Sequence, residues 1–511
     1  MPAAPDMSAG IPSEVRHIML SFLPNSSLKN VRLVNKQWSA AAATILWSDL
    51  TLDLVETGHR KLDALLDSES GGVLDSVKKL SISTGQSGLS TTCRGYITEL
   101  LHDLFIALPR DCLIQLSSKH LTFGRRTAEL LLRTQSNLRT LTVSLSEQGG
   151  IPKKNLVRGS LDNLQELCIS FNGKDGQDYK AFASWLTETP RLQKLKIVGK
   201  SRNGLNYFDG WAMPETGILL NLRELELENL HLPTSVNGIL GILNPPDLQV
   251  LKVTRCHDTR PLLTSLADAL KDTTAGSLKT FRYVSADLAD SCDSSAGLIS
   301  AATGLTDVAL VTSGGLLLDL SCLQQNGKSL RRLVIVASHK ELCYSAKDLE
   351  LLVTMCPNLQ ALAVSLGDFN EHINSLQQLE PFRLSKFTET LQAIKTIARL
   401  EHLESLTSTH LPLLRGDHSA LERKWRHAQV ADEVMACLVN NGSKIQRLKF
   451  VPWTISEACN IEADDNGHLW PMYAYLRGKL LYNTEQGQSR VKTVGVPVKM
   501  TRVLNGVRGT P

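Results

Sequence analysis

From residue 77 onward one short phrase recurs: apolar, two variable residues, apolar, one variable residue, apolar. It reads VKKLSI (77–82), LRTLTV (138–143), LQELCI (164–169), LQKLKI (192–197), LRELEL (222–227) and LQVLKV (248–253). It continues as LKTFRY (278–283), LTDVAL (305–310), LRRLVI (330–335), LQALAV (359–364) and IQRLKF (445–450), with a weaker copy, LIQLSS, from Leu113. Successive starts from 113 to 359 lie 25 to 30 residues apart. The last three positions of each phrase alternate, which predicts a short strand with every second side chain turned inward. The residues between phrases predict a helical or irregular return, clearest at 127–133, 179–186 and 345–355. Turns are expected at Thr189-Pro190-Arg191 and Cys356-Pro357-Asn358. One such unit cannot bury its apolar side alone, so the units must stack.

The period weakens between Leu359 and Ile445, a gap of 86 residues in which only LESLTS from Leu403 resembles the phrase. Two degenerate repeats are expected there, with an excursion over 411–427 and a helix over 429–439. The stretch 285–303, rich in Ser, Ala, Asp and Gly, reads as a loose return. Beyond 451 the period breaks. The aromatics Trp453, Trp470, Tyr473, Tyr475 and Tyr482 are expected to seal the open end of the stack, with a polar, basic tail behind them.

The amino end has a different period. In IPSEVRHIMLSFLPNSSLKNVRLVNKQWSAAAATILW (11–47), Val15, Ile18, Met19, Phe22 and Leu23 fall at helical spacing after Pro12, with Ser13 as a cap and Pro24 as a stop. Ser26 or Ser27 would cap a second run, Leu28, Val31 and Val34. A third starts near Asn35 and carries Trp38, Ala42, Ile45, Leu46 and Trp47. Helices this short enclose little interior and normally need help, from their own chain or from a partner.

The ordered set Ile11-Pro12-x-Glu14-Val15, Ile18, Phe22-Leu23-Pro24, Leu28, Val31-Arg32-x-Val34, Trp38 and Leu46-Trp47 resembles an F-box, with Ile11 where Leu is usual. The 25–30-residue period is that of leucine-rich repeats. The Cys-Pro-Asn-Leu junction is frequent in F-box proteins of that kind, and the arrangement most resembles fungal ones with degenerate repeats. The expected fold is therefore α/β: a three-helix F-box followed by a leucine-rich-repeat solenoid, a curved parallel sheet with helices on its outer face. Its parts would be a flexible 1–10, an F-box over 11–50, a solenoid over 51–451 (irregular at 365–444), and a cap and tail over 452–511. What the resemblance implies is binding to a Skp1-like adaptor, and through it to cullin and RING subunits, with a protein substrate held on the repeats. Ile11, Pro12, Ile18, Leu23, Leu28, Val31, Val34 and Trp38 would supply the apolar contact to Skp1 or its immediate support.

Composition narrows the alternatives. The chain of 511 residues is 42% apolar and 21% charged, with a formal net charge of +4. Nucleic-acid binding normally shows as a concentrated basic face, and no membrane span is expected. Ten cysteines stand singly with no Cys-x-x-Cys pair, a pattern of reduced thiols in the cytosol or nucleus. There is then no RING-type zinc module. Two Gly-Lys-Ser triplets, at 199–201 and 327–329, lack the glycine five residues upstream that a phosphate loop needs, since Lys194 and Cys322 stand there. No catalytic motif is present, so no enzyme activity, cofactor or metal is expected.

Candidate target-binding positions lie on the inner concave face: Lys194, Lys196 and Val198, then Glu224, Glu226 and Glu228, then Val250, Lys252 and Thr254, followed by Arg282. With strands about 4.8 Å apart, Lys196, Glu226 and Lys252 would form a row of alternating sign. Cross-strand neutralisation is favoured there over a target platform. A second row, Asp307, Ala309, Val311, Val334, Val336, Ala361 and Ala363, is apolar for a solvent-facing surface and suggests a partner or a folded-over segment. Two rival functions remain: a scaffold outside the ligase, and a GTPase-activating leucine-rich solenoid, a family with more uniform repeats and no F-box.

Overall fold

Alternating burial runs through most repeat phrases of the computed structural model, the strands at 332–337 and 361–364 being buried almost throughout. The structure describes residues 11–54, 58–67, 71–83, 91–145, 159–171, 186, 188–199, 221–232, 243–271, 276–286, 292–312, 316–337, 342–366, 383–409, 420–450, 473–483 and 489–497. The chain forms two compact units, Met1–Asn244 and Pro245–Pro511. Each is α/β with the stacked strands of a leucine-rich-repeat architecture, mostly parallel.

The first unit opens with three helices, α1 (Ser13–Ser21), α2 (Asn25–Val31) and α3 (Lys36–Trp47). Strands β1 (Asp49–Asp53), β2 (Lys79–Ser83), β3 (Gln115–Thr122), β4 (Thr140–Leu145), β5 (Glu166–Phe171), β6 (Lys194–Gly199) and β7 (Glu224–Glu228) follow, each parallel to the next in chain order. The returns include α4 (Gly58–Leu66), α5 (Gly71–Leu74), α6 (Thr91–Ala107) and α7 (Arg125–Thr134); most of the helix expected at 179–186 lies outside the described residues. The first, fourth and sixth residues of each phrase are buried, as in Leu164, Leu167 and Ile169 or Leu192, Leu195 and Ile197. The stack starts one repeat earlier than the phrase count from residue 77. In β1, Leu50 and Leu52 point inward, and Trp47 holds the place of the phrase's first leucine.

The second unit continues with β8 (Val250–Cys256), β9 (Thr280–Ser285), β10 (Asp307–Thr312), β11 (Arg332–Ala337), β12 (Ala361–Val364), β13 (Ser405–Ser408) and β14 (Arg447–Phe450), again parallel in order. Its helices are α8 (Arg260–Lys271), α9 (Asp293–Ala301), α10 (Ala346–Met355), α11 (Thr388–Ile397) and α12 (Ala420–Asn440). Ser345 caps α10 through a reciprocal box with Asp348. Four expectations need correction here. The gap before Ile445 holds one repeat strand, not two, because β13 pairs directly with both β12 and β14. The excursion is helical from Ala420, the start of α12, while 411–419 lie outside the described residues. The loose return contains α9, whose Ser295, Leu298, Ile299 and Ala301 are buried. Small residues lower the hydropathy of that stretch while letting α9 pack against α8.

In the tail the fourth correction concerns Tyr482 alone. β15 (Tyr473–Asn483) and β16 (Ser489–Pro497) form an antiparallel hairpin added to β14. Tyr475 is buried and meets Phe450 edge to face at 6.0 Å, whereas Tyr482 is exposed. Trp453 and Trp470 lie outside the described residues. The hairpin leans on α12, where Asp432 Oδ1 accepts the Gly495 N–H at 2.7 Å and Lys492 pairs with Glu433 at 3.2 Å.

Buried amides stitch neighbouring repeats together. Gln135 Oε1 accepts from Leu113 N–H and its Nε2 donates to the Pro109 carbonyl, both at 2.9 Å. Asn326 repeats the device: Oδ1 accepts from Leu305 N–H at 2.9 Å, and Nδ2 donates to the carbonyls of Ile299 at 2.8 Å and Ala302 at 2.9 Å. The glycines of the two Gly-Lys-Ser triplets serve the same stacking. A Cβ on Gly199 would strike the backbone of Asn229, and one on Gly327 the Met355 carbonyl, so both are points of close approach between repeats.

Candidate functional site

The three-helix module turns its greasiest stripe outward. Its interior is Leu20, Leu28 and Ala42, against which Val31, Trp38, Ala41, Ile45 and Leu46 pack. Val15, Ile18, Met19 and Phe22 share one face of α1, and that face is exposed, Ile18 by 58% and Phe22 by 82%. Leu23 is exposed as well, and after α2 come Leu33 at 85% and Val34 at 66%. Isolated exposed leucines are ordinary; here seven large apolar side chains lie exposed together on one small module.

Local chemistry explains the arrangement. Pro12 and Pro24, both extended, start α1 and α2, displacing Ser13, Ser26 and Ser27 from the capping positions expected of them. Asn35 caps α3, its Oδ1 accepting from the N–H groups of Gln37 and Trp38 at 3.0 Å each. Arg16 bonds Gln37 across the module. A single residue, Ser48, joins α3 to β1, and its carbonyl accepts from Lys78 and Lys79 N–H at 2.9 and 2.8 Å. The helices are thus tied directly to the first repeat.

Of the sequence-derived contact residues, Pro12, Ile18, Leu23 and Val34 are exposed, and Ile11, Val31 and Trp38 are half-buried. Leu28 is buried in the module's core. Periodicity missed Leu20, the apolar residue off the α1 stripe that holds the helix down, and Leu33, the most exposed of all. Ser27 and Val31 beside them carry no signal that distinguishes inside from outside; a helix pattern locates a stripe but not the direction it faces.

On the open face of the first unit's sheet the charges satisfy each other. Lys194 pairs with Glu224 at 3.1 Å, and Lys196 with Glu226 at 3.1 Å and Glu228 at 3.0 Å. Burial works against the Lys196 ammonium, but the hydrogen bonds and charges of Glu228 and Glu226 outweigh it and hold its pKa above the usual lysine value. That contribution is present below the unfolded lysine's pKa and is lost as pH rises through the folded one. Partly exposed pairs of this kind are each worth about 0.2–1 kcal/mol. In the second unit Lys252 stands in register with Arg282, which bonds Asp307 at 2.8 Å. The apolar row is not solvent-facing: Val334, Val336 and Ala363 are buried, with Ala309 and Val311 packed on them.

Among the described residues no group of three or more His, Cys, Asp or Glu could hold a metal ion, and no helix is long and apolar enough to cross a membrane. Burial pushes the Cys322 and Cys356 thiols up to about 12, which removes them as nucleophiles at neutral pH. Iodoacetamide at neutral pH is expected to leave both unmodified in the native chain and to alkylate both in denaturant; native labelling would show that the repeat core opens there.

No protein-family model matches this sequence, and no curated protein matches it. Among solved structures the chain is similar to yeast Rad7 in its complex with Elc1, at 15% identity and a TM-score of 0.38 over 70% of this chain and 85% of that one. It is also similar to the leucine-rich repeat-containing protein LegL7 from Legionella pneumophila, at 12% identity and a TM-score of 0.32 over 82% of this chain and 92% of that one.

Proposed function

We propose that this chain is the substrate-recognition subunit of a Skp1–cullin–F-box ubiquitin ligase. Its helical module docks on a Skp1-like adaptor and its repeats hold a protein target. The observation that carries the reading is the outward stripe of α1, together with the motif that runs from Ile11 to Trp38. A module whose own core is three buried side chains yet which shows Ile18, Phe22, Leu33 and Val34 to water is incomplete by itself. Burying one such side chain contributes about 1.5–3 kcal/mol, of which part offsets the lost freedom of association.

Catalysis by such a subunit is proximity. The chain makes and breaks no bond; it raises the effective concentration of a target lysine near a charged conjugating enzyme. Proximity needs a fixed bearing between adaptor and target, and the one-residue link from α3 to β1 supports that for the first repeats.

Co-expression with Skp1, cullin and the RING subunit tests the proposal. The expected result is a soluble one-to-one complex with Skp1 that retains cullin, and a target that accumulates when the chain is removed. A Skp1 complex that excludes cullin would leave a scaffold instead, and stimulation of GTP hydrolysis without Skp1 would favour the GTPase-activating alternative. Absence of any Skp1 complex would overturn the reading altogether. Leu28 is unsuitable as a probe of this contact because its truncation empties the module's core.

A further inference from the structure

On the sheet face of the second unit that carries Arg282, cations outnumber their acidic partners among the described residues. Arg332 of β11 and Arg447 of β14 occupy one lateral row, Arg332–Ala361–Ser405–Arg447, and Lys449 of β14 the next, beside Thr407 and Ala363. Among the described residues Arg332 meets Asp307 at 3.9 Å, a carboxylate already engaged by Arg282 at 2.8 Å. Among the described residues neither Arg447 nor Lys449 forms an ion pair. Lys449 is half-buried, and its burial together with the charges of Arg447 and Arg332 depresses its pKa. An ammonium held so is destabilising until an anion reaches it.

The surroundings give that anion a shape. Between the cations, β12 and β13 present Ala361, Ser405 and Thr407, small and half-buried. This leaves a low floor three strand spacings wide, about 14 Å. Beyond β14, Leu476 lies in register with Arg447, and Val496 with Leu476. Both are exposed, as is Leu480 on the same side of β15. Neither hairpin strand contains an acidic residue. We propose that this face binds an extended peptide segment that carries carboxylate side chains beside aliphatic ones. Its acids meet Arg332, Arg447 and Lys449; its aliphatic groups lie on Leu476, Leu480 and Val496. A single-stranded nucleic acid would want aromatic stacking partners beside the cations, where this face offers leucine and valine. The inference rests on the reading of the repeats as the surface that holds a target, and it names the chemistry of that target.

The test is a random peptide library displayed on phage and selected against the full chain with no adaptor present. Recovered peptides are expected to be enriched in Asp and Glu next to Leu, Ile or Val. A synthetic copy should bind Lys449→Met at least about tenfold more weakly than the parent chain, the scale of losing one charge-assisted contact. The same substitution removes an unpaired, half-buried charge, so its Tm should rise. The proposal is overturned by a library with no acidic enrichment, by unchanged peptide binding in Lys449→Met and Arg447→Ala, or by a lower Tm in Lys449→Met. It is overturned equally if those substitutions abolish binding of a poly-uridine RNA while peptide binding is absent. Skp1 takes no part in this assay, so its failure leaves the ligase reading to the co-expression result.

Discussion

Replacing Ile18 and Phe22 together by Asp is expected to abolish capture of Skp1 while the chain stays folded. Both side chains are more exposed than buried, and substitutions at such positions usually change stability by no more than about 0.5 kcal/mol. Each, once covered, is a candidate anchor, and anchors of this type cost about 2 kcal/mol or more when removed. Two of them amount to about 4 kcal/mol, roughly a thousandfold in affinity. Leu20→Ala is the informative contrast. Leu20 is 1% exposed in the module's core, so its truncation should cost about 2–5 kcal/mol and melt the helices themselves. Titration calorimetry with purified Skp1, alongside circular dichroism of each variant, separates the two cases. Full-strength binding by the Asp pair would mean the outward stripe is not the docking face.

Asn326→Ala is expected to be among the most damaging single changes in the second unit. The amide is fully buried and serves one backbone N–H and two carbonyls from the preceding repeat. Alanine leaves all three buried and unpaired, at about 1–3 kcal/mol apiece before relaxation. We expect a loss of about 3–5 kcal/mol, read from the midpoint of urea unfolding. Asn358 offers the comparison: it is half-buried and donates once, to the Lys328 carbonyl at 2.9 Å, so Asn358→Ala should cost about 1 kcal/mol or less. Equal losses at the two sites would show that the buried amide is not what joins the repeats.

Much of this architecture is visible in the sequence because the repeat phrase couples two constraints. A strand must alternate, and a stack must repeat, so Leu-x-x-Leu-x-Ile survives even in the degraded copies at Leu113 and Leu403. There Ser118 and Ser408 fill the last inward position, each fully buried. What escaped has identifiable causes. Helix α9 is built from Ser, Ala and Gly, whose small size suits close packing but carries little hydropathy. The β15–β16 hairpin has apolar side chains on its open face, Leu476 and Val496, as well as Tyr475 inside, and so lacks a clean inward–outward contrast. The row through Val334, Val336 and Ala363 was legible as apolar, yet its burial follows from tertiary packing that alternation cannot express. In the helical module the stripe of α1 was plain but its direction was not. So small a core has only Leu20, Leu28 and Ala42 fully buried at its centre, and Leu20 sits outside the stripe that periodicity detects. The unpaired cations Arg447 and Lys449 were hidden for a related reason. Their lack of partners is a property of strands β12, β13 and β15 beside them, not of the phrase that contains them.

Amide hydrogen exchange of the full chain, with and without purified Skp1, addresses the docking face most directly. The account expects slowed exchange in α1 and around Leu33 and Val34, with the repeat strands unaltered. Exchange that is unchanged over residues 13–34 in a mixture where Skp1 is saturating, or protection confined to the repeats, would contradict it.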